Sequence, residues 1–199
     1  MNSLKHFDNN FLSRKVKRIA GCDEAGRGPI AGPVVAAAVI FDRKTFHPEI
    51  DDSKKLTEKT REELFDWIIN NCVSYGIGII GHEEIDQINI LQASLKAMKI
   101  AAEQLSPNPN LILIDGNKSF HSDIETKSVV KGDAKSFSIA AASIIAKVTR
   151  DRIMYEVAQT HPEYLWHKNK GYPTKAHIEA VRNFGITPLH RKTFLSKIL

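Results

Sequence analysis

The chain has 199 residues, 42% of them hydrophobic and 26% charged, with a formal net charge of +5; these values belong to an ordinary folded domain and exclude disordered or fibrous classes. Its two cysteines, Cys22 and Cys72, form no CxxC pair, which argues against a zinc ribbon or a disulfide framework and favours a reducing, cytoplasmic setting. No stretch approaches 18 consecutive apolar residues, and residues 1–10 hold no apolar signal core, so membrane and secretory readings drop out.

Residues 18–24 read as a strand, and residues 34–41 (VVAAAVIF) as a second, β-branched one. Three glycines and two prolines lie between them in residues 25–33, which predicts a shaped loop joining the strands. Thr60-Arg61-Glu62-Glu63 resembles a capping box, with Leu64, Phe65, Ile68, Ile69 and Cys72 following at helical spacing until the helix ends near Asn71. Residues 74–80 look like a third strand. Leu91, Leu95, Met98, Ala102 and Leu105 mark one face of a helix closed by Ser106-Pro107. The continuous apolar run at residues 111–114 is what a central strand covered on both faces looks like. A short fifth strand is expected at 128–130, a helix from about 136 to 158, and two short helices at about 174–184 and 188–198. The pattern is that of an α/β domain with a small helical appendage rather than a repeat protein.

The charge is unevenly spread. Residues 161–199 carry Lys168, Lys170, Lys175, Arg182, Arg191, Lys192 and Lys197 against Glu163 and Glu179, so the whole positive excess lies there. A basic surface on a neutral body suits a polyanion such as nucleic acid; a solvated basic face kept for solubility is the plainer alternative.

Three acidic positions share a context in which an apolar run gives way to glycine: Asp23-Glu24 after Ile19-Ala20-Gly21-Cys22, Asp115 before Gly116, and Asp133 after Gly132. Singly, each also reads as turn chemistry. Together, carboxylates at strand ends beside buried segments are costly unless something positive compensates them. Neighbours on a flat strand point to opposite faces, so Asp23 and Glu24 serve one centre only if the chain leaves the pleat between them, a bend that Gly26 and Gly28 would ease. If Asp115 and Asp133 converge there too, hard divalent cations relieve the repulsion, and an all-oxygen ligand set selects Mg²⁺ or Mn²⁺ over zinc.

Gly26-Arg27-Gly28 with Gly32 gives GxGxxxG followed by a strand, so the loop is neither a dinucleotide fingerprint nor a phosphate-binding P-loop. Glycines flanking an arginine can still bring backbone groups close to a sugar-phosphate.

Six ordered motifs resemble the series of the ribonuclease HII family: Gly21-Cys22-Asp23-Glu24-Ala25-Gly26-Arg27-Gly28-Pro29, Asp52-Ser53-Lys54-Lys55-Leu56, Leu113-Ile114-Asp115-Gly116-Asn117, Lys131-Gly132-Asp133, the run from Ala141 to Asp151, and Lys170-Gly171-Tyr172-Pro173-Thr174. The resemblance implies a ribonuclease H-like α/β fold, a five-stranded mixed sheet flanked by helices with a small C-terminal helical segment. It implies a domain at 17–199, divided into a catalytic body (about 17–160) and a basic segment that clamps substrate (about 161–199), after an N-terminal tail (1–16). It further implies an endonuclease that hydrolyses the RNA strand of RNA–DNA hybrids and nicks 5′ to ribonucleotides embedded in duplex DNA, leaving 3′-OH and 5′-phosphate.

By the same resemblance Asp23, Glu24, Asp115 and Asp133 match the metal-binding carboxylates, holding two Mn²⁺ or Mg²⁺ ions once substrate is bound. Asp23, Asp115 and Asp133 would share one ion, and Asp23 with Glu24 the other. Gly26, Arg27 and Gly28 match a loop whose backbone reads a 2′-OH, the group that distinguishes RNA from DNA. Tyr172 matches a tyrosine that stacks on the next deoxynucleotide's sugar. Lys54, Lys55, Lys147 and Arg150 are candidate phosphate contacts, with solvated or helix-stabilising roles equally open. A ribonuclease HIII-like hybrid nuclease and a non-catalytic nucleic-acid-binding module are the alternatives. A monomer is expected, since no apolar surface stripe is evident.

Overall fold

The structure, a computed structural model, describes residues 3–196. Helix α1 (Ser3–Asn9) precedes strand β1 (Ile19–Ala25), which turns through the glycine-proline loop into β2 (Val34–Ile40). Helix α2 (Glu58–Asn71), strand β3 (Ser74–Ile80), helices α3 (His82–Ile88) and α4 (Ile90–Glu103), and strands β4 (Leu111–Asp115) and β5 (Glu125–Val129) follow. The chain ends in a long α5 (Phe137–Thr160) and three shorter helices, α6 (Trp166–Asn169), α7 (Lys175–Phe184) and α8 (Lys192–Leu195).

The strands form one mixed sheet in the order β3-β2-β1-β4-β5. β1 runs antiparallel to β2 and parallel to β4, so the carboxyl ends of β1 and β4 emerge side by side. All seven residues of β2 are buried because helices cover both faces. Ala36 and Ala38 face α4 with Ala97, Met98 and Ala101, while Ala37 and Val39 face α2 and α5 with Leu64, Ile68 and Ala141. Fully burying each Val, Ile or Leu contributes about 1.5–3 kcal/mol, and the alanines let the helices come close.

Gly21 fixes where α5 begins. A β carbon on Gly21 would fall 2.2 Å from the Ser138 carbonyl carbon, so any larger residue would push the first turn of α5 off β1. That turn is also held by Ser136, whose hydroxyl accepts from the Ile139 N–H, and by Asp8, which accepts from the Ser138 N–H at 2.9 Å. Within the segment expected as a tail (1–16), Ser3–Asn9 thus forms a docked helix with Leu4, Lys5 and Asp8 buried.

Other boundaries differ for local reasons. Helix α2 starts at Glu58, one turn before the suspected capping box, because Thr57 is the residue whose hydroxyl accepts the Thr60 N–H. Strand β5 spans 125–129 rather than 128–130; it is an edge strand with alternating exposure, so its polar first half carries no apolar signal. The last helix is α8 at 192–195, shorter than the expected 188–198, of which residues 197 and 198 lie outside the described residues. Among the described residues no helix is long and apolar enough to cross a membrane.

The C-terminal helices pack on α5 through Met154, Ala158, Tyr164, Trp166, Ala180 and Val181. The segment after α7 then runs beside the glycine-proline loop. The Gly32 N–H donates to Leu189 O at 2.9 Å and the Arg191 N–H to Ile30 O at 2.8 Å. Loop and C-terminus are therefore one structural unit.

Candidate active site

The parallel pairing Cys22↔Ile114 sets Asp23 and Asp115 next to each other at the carboxyl edge of the sheet. Asp133 arrives from a different direction. Lys131 takes a left-handed conformation (φ 56°, ψ 47°) that swings the chain into the 3₁₀ turn Gly132–Ala134, and the Gly132 N–H donates to Asp115 Oδ1 at 2.6 Å. One oxygen from each of Asp23, Asp115 and Asp133 lies within 4.8 Å of the others.

Glu24 stands apart from this trio. The ladder to β2 continues unbroken through Glu24↔Ala36 and Ala25↔Val35, so the two acids reach one cavity without the bend expected between them. Glu24 is close enough for its charge to act on the Asp23 carboxyl, and its Oε1 is 3.3 Å from Arg27 Nη1. It still borders the same cavity, a space of about 320 Å³ lined by Asp23, Glu24, Gly26 to Gly28, Ser53, Lys54, Asp115, Lys147 and Tyr172.

The electrostatics are strained toward neutrality. Burial, then the neighbouring Glu24 and Asp115 charges, hold the Asp23 carboxyl well above the ordinary range. Burial also raises Glu24, against the opposing pull of Arg27, and raises Asp115 despite the Gly132 N–H that stabilises its charge. Among the described residues, Lys54 Nζ, 3.0 Å from Asp133 Oδ2, is the direct cationic contact of the trio. Burial works against the Lys54 ammonium, but the bond and charge of Asp133 outweigh it and raise its pKa. One exposed lysine does not balance three clustered aspartates. Their donors are all carboxylate oxygens, which suits a hard divalent cation and not zinc or copper, so Asp23, Asp115 and Asp133 fit such an ion by position and chemistry.

The remaining expected residues are placed variously. Tyr172, 41% exposed, stands over the loop; a β carbon on Gly28 would come 3.3 Å from its Cε1. Gly26 (φ +100°) has no room for a side chain, because a β carbon there would strike Arg150 Nε at 2.2 Å. Lys147 borders the cavity and pairs with Asp151 at 2.7 Å. Lys55 pairs with Asp51 at 3.0 Å on the exposed surface and is not among the cavity's lining.

The expectation of a phosphate contact at Arg150 does not hold. Arg150 is 1% exposed, and its guanidinium donates to the carbonyls of Pro33, Ala31 and Lys170. Every donor that reaches a partner is spent on backbone. Arg191, counted above in the basic excess, is likewise 0% exposed and adds nothing to a basic surface. It donates from Nη2 to Gly26 O (2.7 Å), from Nη1 to Arg27 O (3.2 Å) and from Nε to Gly32 O (2.9 Å). No periodicity around residue 191 singles it out in the sequence. Arg150 did carry a signal: Ala146 and Met154, one turn to either side on the same helix face, are both buried.

Comparison with known proteins places these features in a lineage. The family model described as Ribonuclease HII matches residues 20–197. The chain is 56% identical over 194 residues to ribonuclease HII of Rickettsia bellii, covering 96% of this chain and 95% of that one. It is 52% identical over 193 residues to ribonuclease HII of Acetivibrio thermocellus, covering 97% and 75%. Among solved structures, the ribonuclease H2 from Pyrococcus horikoshii OT3 superposes with a TM-score of 0.75 at 30% identity, over 91% of this chain and 96% of that one.

Proposed function

The chain belongs to the ribonuclease HII family, whose activity is cleavage of the RNA strand in RNA–DNA hybrids, and from that premise we propose that it also nicks duplex DNA on the 5′ side of single embedded ribonucleotides, leaving 3′-OH and 5′-phosphate. The observation that carries this reading is the meeting of Asp23, Asp115 and Asp133 within 4.8 Å at one edge of a cavity whose other edge is the glycine loop and Tyr172.

Asp23, Asp115 and Asp133 would hold one Mg²⁺ or Mn²⁺, and Asp23 with Glu24 a second once substrate supplies the remaining oxygens. Such ions, when bound, activate water for attack and stabilise charge on the departing 3′ oxygen. The protein's own groups position the substrate. The amides of the Gly26 to Gly28 loop would meet the 2′-OH, a group able both to donate and to accept. The Tyr172 ring, exposed above Gly28, offers an apolar face to the next sugar. Lys54 and Lys147 border the cavity where a phosphate would enter, and Arg27, now on Glu24, is positioned to exchange that carboxylate for a phosphate. The tail's exposed lysines would take up the duplex beyond the site.

A duplex holding one ribonucleotide, incubated with Mg²⁺ or Mn²⁺ and separately with EDTA, tests the proposal. Nicking on the 5′ side of that residue in the metal-containing sample alone is expected. Binding without nicking in both samples would leave only a binding module.

A further inference from the structure

The two buried arginines behind the glycine loop are unusual because, among the described residues, neither makes an ion pair. Arg150 and Arg191 are 1% and 0% exposed, and their guanidinium groups bond to six backbone carbonyls between them. Five of those carbonyls, at Gly26, Arg27, Ala31, Gly32 and Pro33, belong to the loop itself. Burial, then the Arg150 charge, lowers Arg191 to about 9, against the opposing pull of Asp86.

The orientation of the loop's amides follows from peptide geometry. In a planar trans peptide the C=O and the following N–H point in opposite directions. Arg191 draws the carbonyls of Gly26 and Arg27 inward, so the N–H groups of Arg27 and Gly28 must point outward, away from the guanidinium. Arg191 lies behind the loop and outside the cavity lining, whereas Gly26, Arg27 and Gly28 line it. Among the described residues neither amide donates to another protein group. Two adjacent unspent donors thus face the cavity beside Asp23, Glu24 and Tyr172.

We propose that Arg191 is a positioning residue for substrate selection: it fixes the peptide planes of the glycine loop so that the Arg27 and Gly28 amides present a preset pair of donors to the ribose oxygens. The inference rests on the nuclease reading above and adds to it the residue that sets ribose discrimination. It also explains why the segment at Leu189 to Arg191 runs against the loop: the C-terminus supplies the part that shapes the reading surface. A flexible Gly-Arg-Gly segment would otherwise sample many peptide orientations, and the ordering would fall on the substrate.

The test compares wild type with Arg191→Lys, which keeps the charge but cannot reach three carbonyls from a forked head. Binding to a duplex with one ribonucleotide and to the same all-DNA duplex is measured by fluorescence anisotropy in EDTA. The expected result is a wild-type preference for the ribonucleotide duplex that falls at least tenfold in Arg191→Lys, with all-DNA affinity within twofold. A general loss of folding would lower both affinities together, and a variant with undiminished preference would overturn the proposal. Hydrogen exchange on the wild type gives a second readout that needs no variant. The Arg27 and Gly28 amides should exchange rapidly in the free protein and gain protection with the ribonucleotide duplex but not with all-DNA; protection already present in the free protein would equally overturn it. A wild type that nicks normally while showing neither effect defeats this inference alone, whereas one that fails to nick defeats the nuclease reading as well.

Discussion

The two sides of the cavity solve opposite electrostatic problems in opposite ways. On the sheet side, three aspartates are brought together with one exposed lysine against them, and burial drives the carboxyls of Asp23 and Asp115 toward their neutral forms. On the loop side, two buried cations are spread over six carbonyl dipoles and, among the described residues, form no salt bridge with a carboxylate. The buried cations of the loop side are satisfied by the protein alone. The sheet side is complete only with added positive charge, which is the physical signature of a site built to receive cations rather than to stabilise the fold.

Removing one member from each side should therefore act in opposite directions. Asp115→Asn takes away a proposed ligand and a repelling charge together. Nicking of a ribonucleotide-containing duplex is expected to fall by about 10³-fold or more, while the metal-free protein gains stability. Rate measurements paired with thermal melts in EDTA would check both halves; a loss of activity accompanied by a lower melting temperature would contradict the contrast. Arg150→Met should do the reverse to stability. It strands the buried Ala31 carbonyl and the partly buried Pro33 and Lys170 carbonyls, and a buried acceptor left without a donor costs about 1–3 kcal/mol, so denaturant titration should show a loss of at least roughly 1–3 kcal/mol.

Divalent ions sharpen the same difference at smaller scale. Mg²⁺ or Mn²⁺ at 100 times its dissociation constant would raise wild-type stability by about 2.7 kcal/mol through mass action. Asp115→Asn should abolish most of that gain, and Arg150→Met should retain it. Calorimetric melts across an ion titration distinguish the cases, and an equal gain in all three proteins would mean the ions bind elsewhere.

How much of this was legible in the sequence depended on whether burial left a pattern. The strands at the centre of the sheet are continuous apolar runs, so β1, β2 and β4 could be read directly. The acids stood out because each ends such a run. Their grouping was half legible: Asp23, Asp115 and Asp133 meet, but the position of Glu24 depends on a pleat that stays regular, which no spacing rule reveals. Helix α3 escaped notice because seven residues with one buried side chain, Ile85, give no periodicity. Helix α1 escaped because two of its buried residues are Lys5 and Asp8, and a polar sequence reads as a tail until Asp8 is seen capping α5. Arg191 illustrates the deepest gap. Sequence counts a charge, but only the fold tells whether that charge faces a phosphate or a backbone carbonyl.

The pair His177 and His190 extends the contrast to pH, with the smallest effect. Trp166 Nε1 can only donate, so His177 Nε2 accepts from it at 2.9 Å, and the His177 Nδ1–H then donates to Tyr172 O at 2.9 Å. His190 Nε2, 3.2 Å from the same acceptor, must carry its own proton, which leaves its Nδ1 to accept from the Thr187 N–H at 3.0 Å. This arrangement requires both rings to be neutral. Burial lowers His177, and burial together with His177 lowers His190 to about 4, below the ordinary histidine value near 6.5. Between those values the unfolded chain binds more protons than the folded one, so this network's contribution is intact above pH 6.5 and is lost as pH falls toward 4. The raised carboxyls of Asp8, Asp23, Glu24 and Asp115 carry the opposite sign, because they favour the folded state as they become protonated. A difference measurement separates the two. His190→Asn keeps an acceptor for the Thr187 N–H but cannot titrate, so the stability advantage of wild type over this variant should shrink from pH 7 to pH 4.5 in denaturant melts with EDTA. An advantage that stays constant across that range would assign the acid response to the carboxylates alone.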